Sequence, residues 1–138
     1  MRHIVGAIIL LAAGAGCAVE QAPPPQSPAI ADFWVFFDHD SAAISAVGTA
    51  TIRAYVQYMA RTPKVRVVVT SHTDRPGAAA YNMNLSQRRA EAIRKALIDE
   101  GVSSDRITLK ALGETQPLVQ TPDGVKEPQN RRVELLSY

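Results

Sequence analysis

One acid and one base in the stretch from Val67 to Ala90 could do chemistry together, and neither is needed by the elements that carry it. Asp74 follows a β-branched run that predicts a buried strand, and Arg89 lies on the helix predicted after it. Loops just beyond the ends of central strands often contact ligands in α/β sheets. The two charges can therefore face one cleft and bind a ligand there, or they can form an internal salt bridge. These residues alone leave both interpretations open.

The elements that position this pair are predicted in the order β-α-β-α-β-β. An aromatic run at 33–37 predicts the first strand, and a β-branched run at 65–70 predicts a central strand buried on both faces. The last two strands are predicted at 107–111 and 131–137, with a long polar loop at 113–130 between them. The predicted fold class is α/β (α+β), a mixed four-stranded sheet with two helices packed on one face.

The first helix is expected to begin at about Ser41 or Ala42, after a polar turn. Pro63 and the residue before it should stop the helix, because the residue before a proline avoids the helical conformation. Apolar residues near helical spacing predict its buried face, namely Ile44, Val47, Ile52, Tyr55, Val56 and Met59.

The second helix is expected to run from about Asn82 or Leu85 to Glu100, with Gly101 as its C′ residue. An asparagine near a helix start is a common cap, which is the simplest explanation of Asn82. The predicted buried stripe consists of apolar residues at helical spacing, namely Leu85, Ala90, Ile93, Ala96 and Leu97.

The first sixteen residues predict export from the cytoplasm. A basic start, an apolar run at 4–15 and a set of small residues form the three-part pattern of a signal peptide. The apolar run would cover only about 20 Å as a helix, too little for a hydrocarbon core of about 30 Å. Ala15-Gly16-Cys17 resembles the end of a bacterial lipobox, in which the cysteine is lipidated, although Gly14 departs from the usual aliphatic residue. A plain signal peptide is the alternative.

Residues 17–30 are then the lipidated Cys17 and a proline-rich tether, with the globular domain at 31–138. Such a sequence favours an extended, semi-rigid spacer of about 3.1 Å per residue. Ala18, where an Asp would favour retention in the inner membrane, favours a lipid anchor in the cell outer membrane facing the periplasm. The formal net charge is only +2, and the chain lacks a Lys/Arg-rich run, so no nucleic-acid partner is expected.

Several motifs now resemble one family. The segments SHTDRPG at 71–77, YN at 81–82, LSQRRA at 85–90 and EPQNRRVE at 127–134 occur in the order and at the spacing of the OmpA-like peptidoglycan-binding domain. The pairs Phe37-Asp38, Arg106-Ile107 and Gly113-Glu114 match it as well, and Ser71 departs from the usual glycine. The resemblance covers about 33–138. Together with Cys17 and the tether, it makes the chain similar to a Pal-type outer-membrane lipoprotein.

The resemblance implies binding without catalysis and without a cofactor or metal. The implied ligand is the stem peptide of peptidoglycan, chiefly its meso-diaminopimelate, which carries an ammonium and a carboxylate on one carbon. Asp74 would accept hydrogen bonds from the ammonium, and Arg89 would hold the carboxylate with two parallel hydrogen bonds. The resemblance also implies backbone contacts at His39 and Asp40, side-chain contacts from Asn82 and Arg131, and pocket walls at Thr73 and Leu85.

Two other functions are kept as alternatives. A metal-dependent cell-wall hydrolase could use ligands that converge from two strand ends, namely Asp38, His39, Asp40, His72 and Asp74. Against it, the chain contains neither a His-Glu-x-x-His nor a His-x-Glu arrangement and has one cysteine. The other alternative is a mainly protein-docking periplasmic module of a Tol-Pal-like envelope system, which is compatible with wall binding.

Overall fold

The computed structural model describes residues 32–138. The predicted signal peptide at 1–16, the lipidation at Cys17 and the tether at 17–30 lie outside the described residues. The elements follow the predicted order, with strands β1 (Phe33–Phe36), β2 (Val67–His72), β3 (Ile107–Gly113) and β4 (Arg132–Ser137), helices α1 (Ala46–Arg61) and α2 (Ala79–Asp99), and short 3-10 helices at Ser104–Arg106 and Pro128–Asn130. None of the helices within 32–138 is long and apolar enough to cross a membrane.

The sheet is mixed, as predicted, with the strand order β1-β4-β2-β3. β4 pairs antiparallel with β1 and β2, whereas β2 and β3 are parallel. Alternate residues of a strand face opposite sides of a sheet. The inward residues of β2 and β4 pack with both helices in one core, so the two helices cover the same face. The central position of β2 delivers its carboxyl end, and the loop after it, to the middle of the domain.

Helix α1 begins later than predicted. Ser45 is its N-cap, with its side-chain oxygen accepting from the N–H of Gly48 at 3.1 Å, so the expected start at Ser41 or Ala42 is wrong. Val47 was expected in the core but is 77% exposed. The buried stripe of the observed helix runs through Gly48, Ile52, Tyr55 and Met59. Val47 lies one residue, about 100° of rotation, away from that stripe.

Helix α2 begins earlier than predicted, at Ala79, with Ala78 at the N-cap and no side-chain cap. Alanine has the highest helix propensity, so the alanine run extends the helix towards the loop. Asn82 is therefore not a cap. At the other end Gly101 occupies the predicted C′ position with φ 105°, and the N–H groups of Gly101 and Val102 donate to the carbonyls of Ile98 and Leu97. These two bonds form a Schellman motif.

Strand β2 is displaced by two residues from its predicted range. It begins at Val67 and includes Ser71 and His72, which were assigned to the following loop. Both residues are buried and keep their sheet partners, Val133 and Gly113. The strand buries both faces, apart from the half-buried Val68. The loop that carries Asp74 is therefore shorter, and it starts from a firmly paired strand end.

Candidate functional site

A polar pocket of about 150 Å³ lies where the β1–α1 and β2–α2 loops meet the first turns of α2. It is lined by His39, Asp40, Asp74, Pro76, Gly77, Tyr81, Asn82 and Leu85. Five of the eight residues predicted for the binding site are among these, namely His39, Asp40, Asp74, Asn82 and Leu85. The other three predicted residues, Thr73, Arg89 and Arg131, do not line it.

A larger groove of about 360 Å³ runs along β1 and the start of α1. It includes Arg131 but none of the other predicted site residues, and its walls are mainly apolar. Convergent polar groups that fix a ligand's orientation are what distinguish a specific binding site. The smaller pocket has them, so we take it as the candidate site.

Asp74 is 4% exposed, and one of its two carboxylate oxygens is held by the protein. Oδ2 accepts from Nη1 of Arg131 at 3.1 Å and from the backbone N–H of Glu127 at 3.2 Å. Nδ1 of His39 lies 4.0 Å from the same oxygen. Within 32–138 every hydrogen bond of Asp74 goes to Oδ2. The side chain is thus fixed through Oδ2, while Oδ1 is left for a ligand.

Arg89 lies beneath the pocket and is 0% exposed. Its Nε donates to the carbonyl of Ser41 at 2.8 Å, and its two η nitrogens donate to the carbonyls of His72 and Asp38, each at 3.0 Å. Burial lowers the pKa of Arg89 to about 10, and the nearby carboxylate of Asp74 opposes that shift. The guanidinium therefore keeps its charge at neutral pH while joining three separate chain segments. Asp74 lines the pocket, but Arg89 is covered. The expectation that the two side chains face one cleft is therefore wrong for Arg89.

Asp74 forms its ion pair with Arg131 and not with Arg89. Nε of Arg131 also donates to the carbonyl of Phe37 at 3.0 Å, so Arg131 ties the start of the last strand to the end of β1. Thr73 is 1% exposed, and its backbone N–H donates to the carbonyl of Gly113 at 2.9 Å. Its hydroxyl has no hydrogen-bond partner within the described chain.

Asn82 is 2% exposed and faces the pocket from the first turn of α2. Its Nδ2 donates to the carbonyl of Pro76 at 3.0 Å and to Oε2 of Glu114 at 2.7 Å. At the rim, the hydroxyl of Tyr81 donates to Oδ1 of Asp40, whose backbone has a left-handed φ of 50°. Aspartate tolerates that conformation better than most residues.

Sequence reasoning missed the roles of Tyr81, Glu114 and Glu127. The pairs Tyr81-Asn82 and Gly113-Glu114 belong to matched motifs, which was a signal that these positions matter. However, Glu114 meets Asn82 across 32 positions and Glu127 meets Asp74 across 53, so no local pattern predicted either contact.

The five candidate metal ligands do not come together. His39, Asp40 and Asp74 line the pocket, but His72 has Nε2 3.6 Å from Oε1 of Glu134, on the sheet face away from the helices. Residues 32–138 contain no group of three or more His, Cys, Asp or Glu side chains placed to hold a metal ion.

Comparisons with known proteins agree with this architecture. The OmpA family model matches residues 36–131. The chain is 36% identical over 100 residues to outer membrane porin F of Pseudomonas fluorescens, covering 72% of this chain and 31% of the porin. It is 35% identical over 98 residues to the peptidoglycan-associated lipoprotein of Rhizobium meliloti, covering 71% of this chain and 56% of that protein. The chain thus spans about a third of the porin and just over half of the lipoprotein.

A solved structure has the same fold. The crystal structure of the peptidoglycan-associated lipoprotein from Burkholderia pseudomallei aligns with a TM-score of 0.71 and 32% sequence identity. The alignment covers 83% of this chain and 96% of that chain. The predicted fold, a mixed four-stranded sheet with two helices on one face, is confirmed.

Proposed function

The chain belongs to the OmpA family, and on that premise we propose that it binds peptidoglycan without cleaving it and tethers the outer membrane to the cell wall. The observation that carries the proposal is the carboxylate of Asp74, fixed in the pocket through Oδ2 with Oδ1 left unpaired. An acceptor that lines a pocket and that the fold leaves without a donor is suited to a ligand that brings one. Two named relatives, the rhizobial and Burkholderia proteins, are peptidoglycan-associated lipoproteins.

We propose the zwitterionic carbon of meso-diaminopimelate in the stem peptide as the bound group. Its ammonium would donate to Oδ1 of Asp74. A pocket of about 150 Å³ suits the end of one amino-acid side chain and leaves the rest of the polymer outside. Leu85 would contact the methylene groups of the ligand as an apolar wall.

The carboxylate of the ligand needs a positive counterpart, and Arg89 supplies the charge from beneath the pocket. A guanidinium has five N–H groups, and three of those of Arg89 are used by carbonyls. Because the side chain is covered, it would act on the ligand's carboxylate through its charge. Backbone groups of His39 and Asp40 lie at the same pocket and would support the carboxylate. Arg131 would act mainly by holding Asp74, and Thr73 by its unpaired hydroxyl.

Attachment to the outer membrane would come from lipid on Cys17, with the tether reaching towards the wall. Hydrogen bonds to charged groups contribute about 1.5–3 kcal/mol each, so a few of them give moderate affinity after the costs of association. A membrane anchor and a polymeric wall both raise the local concentration of the partner. Weak single sites would therefore suffice for a firm connection between membrane and wall.

Docking of a Tol-type periplasmic protein is the second candidate function, and it does not exclude the first. The observation that favours it is a pair of exposed aromatic side chains on edge strand β1, Trp34 and Phe36, at the larger groove. Aromatic residues are enriched at the centres of protein interfaces. Replacing Phe36 by Ser should weaken capture of such a protein while leaving wall binding unchanged, and equal capture would exclude this surface.

The deciding experiment is a sedimentation assay with purified diaminopimelate-type peptidoglycan. Asp74→Asn should reduce binding at least tenfold, because the lost charge-assisted bond is worth about 1.5–3 kcal/mol. Asp99→Asn is the matched control, since Asp99 is exposed on α2 and pairs only with Lys95 within the described chain. Undiminished binding by Asp74→Asn would refute the assignment of the site. Release of soluble fragments from the wall by the wild type would favour the hydrolase instead.

A further inference from the structure

The amide of Asn82 is held in one orientation by two groups that only accept hydrogen bonds. Nδ2 donates to the carbonyl oxygen of Pro76 at 3.0 Å and to Oε2 of Glu114 at 2.7 Å. A carbonyl and a carboxylate cannot donate, so the group that meets both is the NH2 end of the amide. Both of its hydrogens are then used. Oδ1 remains as an acceptor at the pocket, 3.8 Å from where a Cβ on Gly77 would lie.

Glu114 reaches Asn82 because of the glycine before it. Gly113 has a φ of 55°, and a Cβ at this position would lie 3.2 Å from backbone atoms of Met83. Its N–H donates to Oγ of Ser86 at 3.0 Å, while its carbonyl accepts from the N–H of Thr73. Gly113 therefore brings the end of β3 against the backbone of α2, and the next side chain, Glu114, lies beside Asn82.

We propose that Glu114 is a positioning residue for the ligand's ammonium group. It holds the amide of Asn82 so that Oδ1 of Asn82 and Oδ1 of Asp74 present two acceptors in one pocket. Without Glu114 only the carbonyl of Pro76 holds Nδ2, so the amide turns more readily and can present Nδ2, a donor that repels an ammonium. The inference rests on the proposed function, and it adds a specificity element: the pocket should distinguish a carbon with an ammonium from the same carbon without one.

The first test is a titration with two soluble stem tetrapeptides. One contains meso-diaminopimelate, and the other has 2-aminopimelate in its place, which keeps the amino group of the peptide bond and the distal carboxylate but lacks the distal ammonium. Glu114→Ala should weaken binding of the first peptide about tenfold and leave binding of the second unchanged. Glu91→Ala is the matched control, because Glu91 is exposed on α2 and bonds only Gln87 within 32–138. Equal weakening of both peptides, or of neither, would overturn the inference.

A conservative variant and a double mutant separate positioning from a simple effect of charge. Glu114→Gln loses the charge but keeps an acceptor for Nδ2, so it should recover at least half of the logarithmic loss of Glu114→Ala. In an Asn82→Ala background, Glu114→Ala should have no further effect, since a positioning residue acts through its partner. An undiminished tenfold effect in that background would mean that Glu114 acts directly on the ligand, against the proposal.

A measurement without ligand keeps this inference distinct from the proposed function. In NMR spectra of the wild type, the two side-chain Nδ2 hydrogens of Asn82 should exchange slowly with water and resonate far apart, and Glu114→Ala should abolish both features. If the wild type binds neither peptide, the proposed function fails and these signals still test the positioning. Unchanged Asn82 signals in Glu114→Ala would show that Glu114 does not hold the amide.

Discussion

Two buried polar clusters lie at the carboxyl end of β2, and they differ in how completely their groups are paired. The pocket cluster consists of Asp74, Arg89 and Arg131. Arg89 donates to three carbonyls, and Arg131 donates to Asp74 and to the carbonyl of Phe37.

The sheet cluster consists of His72, Arg132 and Glu134, on the sheet face away from the helices. Arg132 donates to Glu134 at 2.7 Å, and its guanidinium lies 5.9 Å from the centre of the Trp34 ring. However, both ring nitrogens of His72 and Nη1 of Arg132 lack a hydrogen-bond partner within the described chain. The two clusters are similarly buried, so burial alone does not distinguish a pre-organised binding site from a cluster with unsatisfied polar groups. Hydrogen bonds to backbone carbonyls from separate segments do distinguish them, because these bonds fix the side chains before a ligand arrives.

Arg89→Met should have the largest effect of the changes that test this difference. It removes the donors to three carbonyls, and each buried unpaired group costs about 1–3 kcal/mol, so we expect a loss of about 4 kcal/mol or more in unfolding free energy. Urea denaturation measures this. Arg88→Met, at the exposed neighbour that lies over the Tyr81 ring, should change stability by less than about 0.5 kcal/mol.

A loss below about 1 kcal/mol in Arg89→Met would contradict the contrast between the clusters, since the carbonyls would then be satisfied without the arginine. The large expected loss of stability also makes Arg89 a poor first probe of ligand binding. Its replacement lowers the stability of the fold and removes the positive charge beneath the pocket together, whereas Asp74→Asn keeps the shape of the side chain.

The sheet cluster should make stability depend on acid pH. Burial, followed by the charge of Arg132, lowers the pKa of His72 from 6.5 to about 4, with Glu134 opposing and Lys110 adding to the shift. The unfolded chain therefore takes up the proton first as the pH falls. The stabilisation is complete above pH 6.5 and is lost as the pH falls towards 4. The shift corresponds to about 3 kcal/mol.

Urea denaturation of the wild type and of His72→Gln at pH 7 and pH 4.5 measures this loss. The wild type should lose most of its His72-dependent stability between the two values, and His72→Gln should lose markedly less. Parallel behaviour of the two proteins would mean that the sheet cluster is not the acid-sensitive region, and that the contrast with the pocket cluster is one of pairing only.

Much of the fold could be predicted because its signals are local. The β-branched run at β2 and the helical spacing of Ile52, Tyr55 and Met59 identify their elements without knowledge of the rest of the chain. The start of α1 could not be chosen in this way. Ser41 and Ser45 are both residue types that favour the N-cap position. Which of them caps α1 depends on Arg89, which lies on α2 and donates to the carbonyl of Ser41.

The site was predictable only in part, for a related reason. Asp74 and Asn82 lie in one motif, and the structure brings both to the pocket. The partners that fix them, Glu127 and Glu114, come from distant segments whose approach is a property of the folded sheet. A charged residue's type indicates that it needs partners, but not whether those partners are a ligand or the protein's own backbone. Arg89 is the example, since its covered position could not be inferred from its place on α2.

Two buried hydroxyls, with the smallest expected effects, test whether an unpaired buried group belongs to the ligand site. Ser71 and Thr73 are 0% and 1% exposed, and the hydroxyl of each lacks a partner within 32–138. Replacing an unsatisfied hydroxyl by an apolar group of similar shape is nearly neutral or stabilising, so Ser71→Ala and Thr73→Val should both stay within about 1 kcal/mol of the wild type. Of these two residues, only Thr73, next to Asp74 in the chain, is proposed to take part in ligand binding. Thr73→Val should therefore bind the diaminopimelate peptide about threefold to tenfold more weakly, whereas Ser71→Ala should bind it as the wild type does. Equal affinities for both variants would make the hydroxyl of Thr73 another unpaired group like those of the sheet cluster, and would remove it from the site.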